Sequence, residues 1–308
     1  MKKKKRNYYR PLVSILLLIL IGYYFKAEGF GIVFNYEFSI WSAILITLLH
    51  LSFLILSARR MHLVLLHFSN THIPYQKWFR LFVEGRLLNK LMPQLGNIHR
   101  GYELKKAEGM EVSNYTGFYL FFTWFDTLVN FFIVFIVATF FADQMEGRFI
   151  VSVLSLLIVL TLLFLPDRGA KLLSHENIVK INFIKKIYKK LVEIKDLVKS
   201  ALNIKLIGSL FFLGLATFML MCGRIYLGFG LVDQTVGFAD LVILYAIYKL
   251  FTLMVITPGN LLVQESSLGG VAEFLGYGFV VGVTVSLLLR FYGYTLFLLL
   301  TLYYLIRD

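Results

Sequence analysis

Four ionisable side chains interrupt the apolar runs of this chain. Asp126, Arg224 and Arg290 each lie inside such a run, and Glu265 follows a Pro-Gly-Asn segment by five residues. A charge at membrane depth is costly and usually functional. The fork of an arginine matches the oxygens of a phosphate. We therefore predict an anion-binding site in which Arg290 meets the phosphate and either Asp126 or Glu265 is its resting partner. The alternative is that these charges only neutralise one another and fix helix register, and for Arg224 that it reaches towards an interface.

A repeated segment gives these charges a framework. The segment 86–97 resembles the segment 249–260, at an offset of 163 residues. In each copy an apolar stretch carrying a basic residue runs into Pro and Gly-Asn. Paired segments of this kind in two halves of a membrane protein are typical of a transport site. The predicted turn residues are Pro93, Gly96, Pro258 and Gly259.

The two Gly-Asn turns, at Asn97 and Asn260, are candidate binding elements in their own right. Glycine lets a ligand approach the backbone closely, and free N–H groups at a helix start bind anions. Arg100 would add positive charge beside the first turn. The alternative is that Pro and Gly simply end a helix in each copy.

The composition indicates an integral membrane protein. The chain has 308 residues, of which 58% are hydrophobic and 17% aromatic, whereas soluble domains are about 45–50% apolar. We predict an all-α polytopic fold of about six transmembrane helices with two re-entrant half-helices, Phe79–Pro93 and Leu241–Ile256. The predicted spans are Leu12–Phe25, Phe38–Ser57, Tyr115–Phe141, Phe149–Leu165, Leu206–Leu231 and Gly278–Leu305.

The distribution of Lys and Arg predicts the topology. Residues 1–10, 58–113 and 166–205 hold 25 of the 31 basic residues, and such segments favour the cytoplasmic side. Both termini are then cytoplasmic and the two half-helices are inverted with respect to each other. An alternative makes Leu241–Ile256 a full span and places the C-terminus outside. The N-terminal Lys-rich run resembles a signal peptide, but without a clear cleavage site we expect an uncleaved first helix.

These elements form one membrane domain, 1–308, with repeat 1 at about 38–141 and repeat 2 at about 206–305. The intervening connector, 166–205, is basic and amphipathic, which suits an anionic membrane surface or a solvated linker. Cys222 is the only cysteine, and the six histidines show no metal-binding spacing. We expect no metal, cofactor or nucleic-acid partner. Lys residues next to the spans attract anionic lipid head groups in either case, and the oligomeric state is open.

The two turn segments resemble a known family. Leu91 to Lys106 is similar to the Pro-Gly-acid-Arg pattern of the flippase-like transmembrane region of lysylphosphatidylglycerol synthases, and Thr257 to Glu265 to its Pro-Gly-Asn…Glu signature. The resemblance implies a carrier that moves lipids between leaflets, with Arg100, Glu265 and Arg290 at polar motif positions. This chain departs from the pattern at three positions. Asn97 replaces an acid, Leu262 replaces a glycine, and Thr123 stands where an arginine is common.

These observations favour a lipid translocase for an anionic or modified phospholipid or a polyprenyl-phosphate lipid, in the plasma membrane. No part of the chain fills the role of the soluble aminoacyl-transferring domain of larger relatives, so we expect no catalysis. One alternative is an accessory subunit of a membrane enzyme that modifies lipid or envelope. A second is a lipid-phosphate enzyme that uses His99 and Glu103. A third is an ion-driven solute carrier in which Asp126 carries a proton.

Overall fold

The structure is a computed structural model that describes residues 40–69, 73–92, 94–140, 148–164, 203–253, 260 and 262–307. Several predictions lie outside these residues: the first span Leu12–Phe25, the turn residues Pro93, Pro258 and Gly259, and nearly all of the connector 166–205. The regular structure of the described residues is α-helical throughout. Its helices are α1 (Ile40–Phe68), α2 (Tyr75–Leu91), α3 (Leu95–Glu108), α4 (Val112–Phe140), α5 (Arg148–Phe164), α6 (Ile204–Gly230), α7 (Phe238–Leu253), α8 (Val263–Phe274) and α9 (Phe279–Arg307).

The helices follow the same order of lengths twice. Helices α1 to α4 contain 29, 17, 14 and 29 residues. Helices α6 to α9 contain 27, 16, 12 and 29 residues. In both sets a long apolar helix precedes two short helices and a second long one, with α5 between the sets. The sequence repeat therefore has a counterpart in the order and size of the helices.

Four described helices are long and apolar enough to cross a membrane: Ile40–Phe68, Asn114–Phe140, Ile204–Gly230 and Phe279–Tyr304. They correspond to four of the six predicted spans. The predicted span Phe149–Leu165 corresponds to α5. This helix has 17 residues, fewer than the four long helices, and is apolar over Ile150–Thr161. The predicted half-helices correspond to α2 and α7, although α2 begins four residues earlier than expected.

The end of α1 differs from the prediction. The apolar run was expected to end at Ser57, but the helix continues to Phe68. The continuation is buried, with Met61 at 4% exposure and Leu65 at 2%. Apolar residues follow Arg59 and Arg60 in the sequence. Burial of these additional helical turns therefore outweighs the cost of the two arginine charges. Arg60 consequently lies inside a helix rather than in a basic loop.

The threonine hydroxyl groups on α4 are satisfied within the helix. Thr116, Thr123, Thr127 and Thr139 each donate to the backbone carbonyl four residues earlier, at 2.7–2.8 Å. This local bond removes the need for water or another partner, which suits a helix in an apolar medium.

Large apolar side chains are exposed along the long helices. Trp41 is 77% exposed, Phe212 69%, Phe291 66% and Phe140 72%. Exposed apolar surface on this scale is unusual on a soluble monomer and indicates contact with lipid or protein. Together with the four long apolar helices, it identifies an integral membrane protein.

The described helices divide between two compact units. Unit 1 comprises Met1–Ser52, Val83–Gly96 and Leu220–Asp308, and unit 2 comprises Phe53–Phe82 and Asn97–Met219. The long helices α1 and α6, as well as α2, contribute residues to both.

In unit 1, α8 packs closely on α9. A Cβ atom at Gly282 would lie 2.5 Å from the carbonyl oxygen of Leu268, so the two helices meet where no side chain separates them. The Glu273 carboxylate accepts the N–H of Phe279 at 2.6 Å and so caps the start of α9.

Tyr277 donates to Asp240 Oδ2 at 2.6 Å, and burial, aided by this bond, raises the pKa of Tyr277 to about 12. The phenol therefore stays protonated and holds the α8–α9 turn to the start of α7.

In unit 2, the α1–α2 turn is fixed by aromatic and imidazole hydrogen bonds to backbone carbonyls. Trp78 Nε1 donates to the Ala58 carbonyl at 2.8 Å, and His62 Nε2 lies 2.8 Å from the Ile73 carbonyl. Trp78 is fully buried. Further along the chain, α4 and α5 pack against each other.

Candidate functional site

Arg290 on α9 forms a buried ion pair with Glu265 on α8. Arg290 Nε lies 2.6 Å from Glu265 Oε1, and the two side chains are 8% and 1% exposed. Arg290 also donates to the Gln264 side-chain carbonyl at 2.9 Å and the Asn260 backbone carbonyl at 3.2 Å. Of the two resting partners considered for Arg290, the structure shows Glu265. The arginine thereby ties α9 to the start of α8.

The segment before α8 has a strained backbone. Asn260 and Leu262 adopt positive φ angles of 50° and 70°, a region that favours glycine. Asn260 Nδ2 donates to the Thr252 carbonyl at 3.1 Å, which anchors the turn to the end of α7. Leu262 is the position where the family pattern carries glycine, so the structure explains that preference. Non-glycine residues held in this region often mark a functional segment.

Arg224 on α6 is the second buried arginine of unit 1. The residue is 6% exposed. Its guanidinium meets the Leu289 carbonyl at 3.4 Å and the Met221 sulfur at 3.3 Å. Its Nε has no hydrogen-bond partner. Within the part of the chain that the structure describes, no carboxylate pairs with Arg224.

The end of α2 brings further positive charge to unit 1. The Lys90 Nζ lies 5.4 Å from the ring centroid of Tyr294, and Arg290 Nη1 is 3.4 Å from the Tyr294 hydroxyl. Three of the charges that act on Lys90 are positive, and one, that of Glu265, is negative. We call these four basic residues the basic cluster, whose members are Arg86, Lys90, Arg224 and Arg290.

Two members of the basic cluster were not predicted as site residues. Arg86 and Lys90 belong to the first repeated segment, where the basic residue was noted only as part of the pattern. Their spacing of four residues places them on one face of α2, and this signal was available in the sequence.

Asp126 on α4 pairs with Arg60, a residue that sequence reasoning did not single out. Arg60 Nη1 lies 2.5 Å from Asp126 Oδ1, with the side chains 3% and 13% exposed. Arg60 also donates to Thr217 Oγ1 at 3.2 Å, and its guanidinium carbon is 5.5 Å from the Phe122 ring centroid. The buried charge in this part of unit 2 is therefore compensated inside the protein.

The first Gly-Asn turn is built from close backbone contact. A Cβ atom at Gly96 would lie 1.7 Å from the Gly85 carbonyl oxygen, so only glycine fits there. The Gly96 N–H donates to Asn89 Oδ1 at 2.8 Å. Gln94, with φ 66°, precedes the helix start as Leu262 does in the second copy.

Arg100 and Asn97 face each other within α3. Arg100 Nη2 donates to Asn97 Oδ1 at 2.5 Å, and its guanidinium carbon lies 5.5 Å from the Phe82 ring centroid. Arg100 is 2% exposed. These two residues belong to unit 2, whereas Asn260, Glu265, Arg224 and Arg290 belong to unit 1.

The fold and the buried charges define an α-helical integral membrane protein with a basic cluster inside one of its units. The chain belongs to a family described as the lysylphosphatidylglycerol synthase transmembrane region, whose model matches residues 10–301. The family is a membrane domain of lysylphosphatidylglycerol synthase-like proteins, which is consistent with a role related to membrane lipids. Comparison with curated proteins finds no match, and neither does comparison with solved structures.

Proposed function

We propose that this protein is a lipid translocase that moves a lipid with an anionic phosphate head group between the leaflets of the plasma membrane. The observation that carries the proposal is the basic cluster of unit 1. Arg290 pairs with Glu265 at 2.6 Å, whereas the buried Arg224 pairs with no carboxylate among the described residues. Positive charge buried in an apolar protein is stabilised by an anion, and a phosphodiester head group supplies one.

The Arg290–Glu265 pair gives the site a resting state. Glu265 neutralises part of the positive charge while no ligand is bound, at a distance of 2.6 Å from Arg290 Nε. A phosphate would compete with this carboxylate for the guanidinium, because both offer paired oxygens. Release of the phosphate would restore the internal pair. This exchange of partners on Arg290 makes binding of the phosphate reversible.

The double set of helices supports a carrier mechanism. We propose that α2–α3 and α7–α8 are re-entrant and inverted in the membrane, with both termini in the cytoplasm. Irregular backbone at Gln94, Asn260 and Leu262 is tolerated at membrane depth where it is enclosed by protein or lines a watery cavity. Alternating access then follows from movement of one repeat against the other.

The test is lipid movement in liposomes that contain the purified chain. Head-group-labelled phosphatidylglycerol and phosphatidylcholine are quenched from one leaflet only. We expect the parent to expose the anionic lipid to the quencher, and Arg290→Ala to lose at least nine-tenths of the rate. Lys106→Ala, an exposed charge at the end of α3, is the matched control and should retain the parental rate.

The alternatives predict different results. If the folded parent moves no lipid alone but does so with a co-purifying membrane enzyme, the accessory-subunit hypothesis is correct. Chemical change of the lipid phosphate would identify an enzyme. Movement that collapses with the proton gradient and accepts soluble solutes would identify an ion-driven carrier.

A further inference from the structure

Two buried arginines occupy the same place in the two sets of helices. Arg60 is the twenty-first residue of α1, and Arg224 is the twenty-first residue of α6. Both are nearly inaccessible, at 2% and 6% exposure. Their surroundings can therefore be compared position by position.

The partner of Arg60 has no equivalent beside Arg224. Asp126, which pairs with Arg60, is the fifteenth residue of α4. The fifteenth residue of α9 is Gly293. The first set therefore has a carboxylate on its second long helix, and α9, the second long helix of the other set, contains no acidic residue.

The space left at Gly293 is filled by an imidazole. A Cβ atom at Gly293 would lie 2.9 Å from His50 Cε1. His50 is the eleventh residue of α1, and its equivalent in α6 is Gly214, where an added Cβ would lie 3.2 Å from Arg60 Nη2. Arg60 is thus accompanied by Asp126 and Gly214, and Arg224 by Gly293 and His50. An imidazole carries no negative charge in either protonation state, so it cannot replace the acid.

The consequence is an arginine that pairs with no carboxylate among the described residues. The terminal nitrogens of Arg224 donate to a carbonyl and a thioether, whereas a terminal nitrogen of Arg60 pairs with a carboxylate. A buried guanidinium without a counter-ion is strongly unfavourable.

We propose that Arg224 is an anion receptor whose counter-ion is the phosphate of a bound lipid, while Arg60–Asp126 is its internally neutralised counterpart. This proposal rests on the proposed function. It adds that the phosphate of the lipid is the group recognised and that Arg224 of the second repeat binds it. Of the two equivalent arginines, only that of the second repeat then binds phosphate, so Arg60 and Arg224 differ in role despite their matching positions.

The two arginines should respond in opposite ways to neutral substitution. Arg60→Gln leaves Asp126 buried without its partner and should lower the melting temperature of the detergent-solubilised chain. Arg224→Gln removes an uncompensated charge and should leave the ligand-free melting temperature unchanged or raise it. Equal destabilisation by both substitutions would show that Arg224 is a structural residue and would overturn the inference.

Ligand binding is measured on the same proteins by thermal unfolding. Short-chain phosphatidylglycerol should raise the melting temperature of the parent by about 5 °C at a concentration about one hundred times its Kd. Arg224→Gln should abolish this shift and Lys106→Ala should keep it. Inorganic phosphate is the second arm. A shift with inorganic phosphate that matches the lipid would overturn the assignment to a lipid head group.

A repeat-exchange variant tests the comparison directly. The double substitution His50→Gly with Gly293→Asp copies the Gly214 and Asp126 arrangement into unit 1, and His50→Gly alone is its control. The double variant should lose the phosphatidylglycerol shift while the control retains it. If the double variant does not fold, Arg224→Gln still decides the question.

Lipid movement retained by Arg224→Gln would reject this inference and leave the proposed function standing. Binding lost in Arg224→Gln would support the inference even where the parent moves no lipid.

Discussion

At the scale of single residues, the stability of unit 2 depends on the Arg60–Asp126 pair. Breaking a buried pair costs about 3–5 kcal/mol, because one charge remains without a partner. We expect Asp126→Asn to lose an amount at the low end of this range, since the carboxylate is 13% exposed. The double variant Arg60→Met with Asp126→Leu should recover most of the loss. Chemical denaturation of the solubilised protein measures the three values, and strictly additive losses would contradict the pairing.

The Arg290–Glu265 pair leads to a prediction about rate and affinity. Glu265→Gln keeps the size of the side chain but removes the charge that competes with phosphate. Binding of phosphatidylglycerol should tighten about tenfold, which corresponds to about 1.4 kcal/mol, and lipid movement should slow because release is slower. Equilibrium binding and the liposome assay report the two quantities separately. Glu108→Gln is the control, because Glu108 pairs with Lys77 at 3.3 Å, where both are partly exposed. Weaker binding in Glu265→Gln would argue that the glutamate itself holds the ligand.

The charges of Asp126, Arg224, Glu265 and Arg290 were recognisable in the sequence because each interrupts an apolar context. The partner of Asp126 was not recognisable, because Arg60 follows the apparent end of a span and looks like a loop residue. Its burial depends on α1 continuing to Phe68, which tertiary packing decides rather than local hydropathy. The ion pairs required coordinates, since Glu265 and Arg290 are 25 residues apart and Arg60 and Asp126 are 66 residues apart.

At the scale of elements, the α2–α3 turn depends on contact between two glycines. A methyl group at Gly96 would overlap the Gly85 carbonyl oxygen, so Gly96→Ala forces the helices apart. We expect a loss of more than about 3 kcal/mol of stability, within the range of severe single substitutions. Gly270→Ala is the matched control, since nothing lies within 4 Å of its added Cβ and alanine favours a helix by about 0.5–1 kcal/mol. Denaturation of both variants decides the matter, and equal stabilities would contradict the close approach.

The helices themselves follow from composition more directly than the turns do. Long apolar runs predict α4, α6 and α9 to within three residues at each end, because a span must hide its backbone in hydrogen bonds. Helix α3 was not predicted as an element, since the segment after Gly96 is charged and lacks a clear apolar face. The strained residue Leu262 could be suspected only from its departure from the family pattern.

At the scale of the whole molecule, cysteine labelling tests the predicted membrane topology, which follows from the repeat pattern and from the distribution of basic residues. Cys222 is the only cysteine and is buried at 4% exposure, so a Cys222→Ser background carries no thiol. Lys106 and Thr235 are exposed, the first at the end of α3 and the second before α7. The positive-inside distribution predicts that Lys106→Cys lies in the cytoplasm and Thr235→Cys outside. A membrane-impermeant maleimide should therefore label Thr235→Cys in intact cells and Lys106→Cys only after permeabilisation. Labelling of both from the same side would mean that the two repeats are not inverted, and the proposed alternating access between inverted halves would then lose its structural basis.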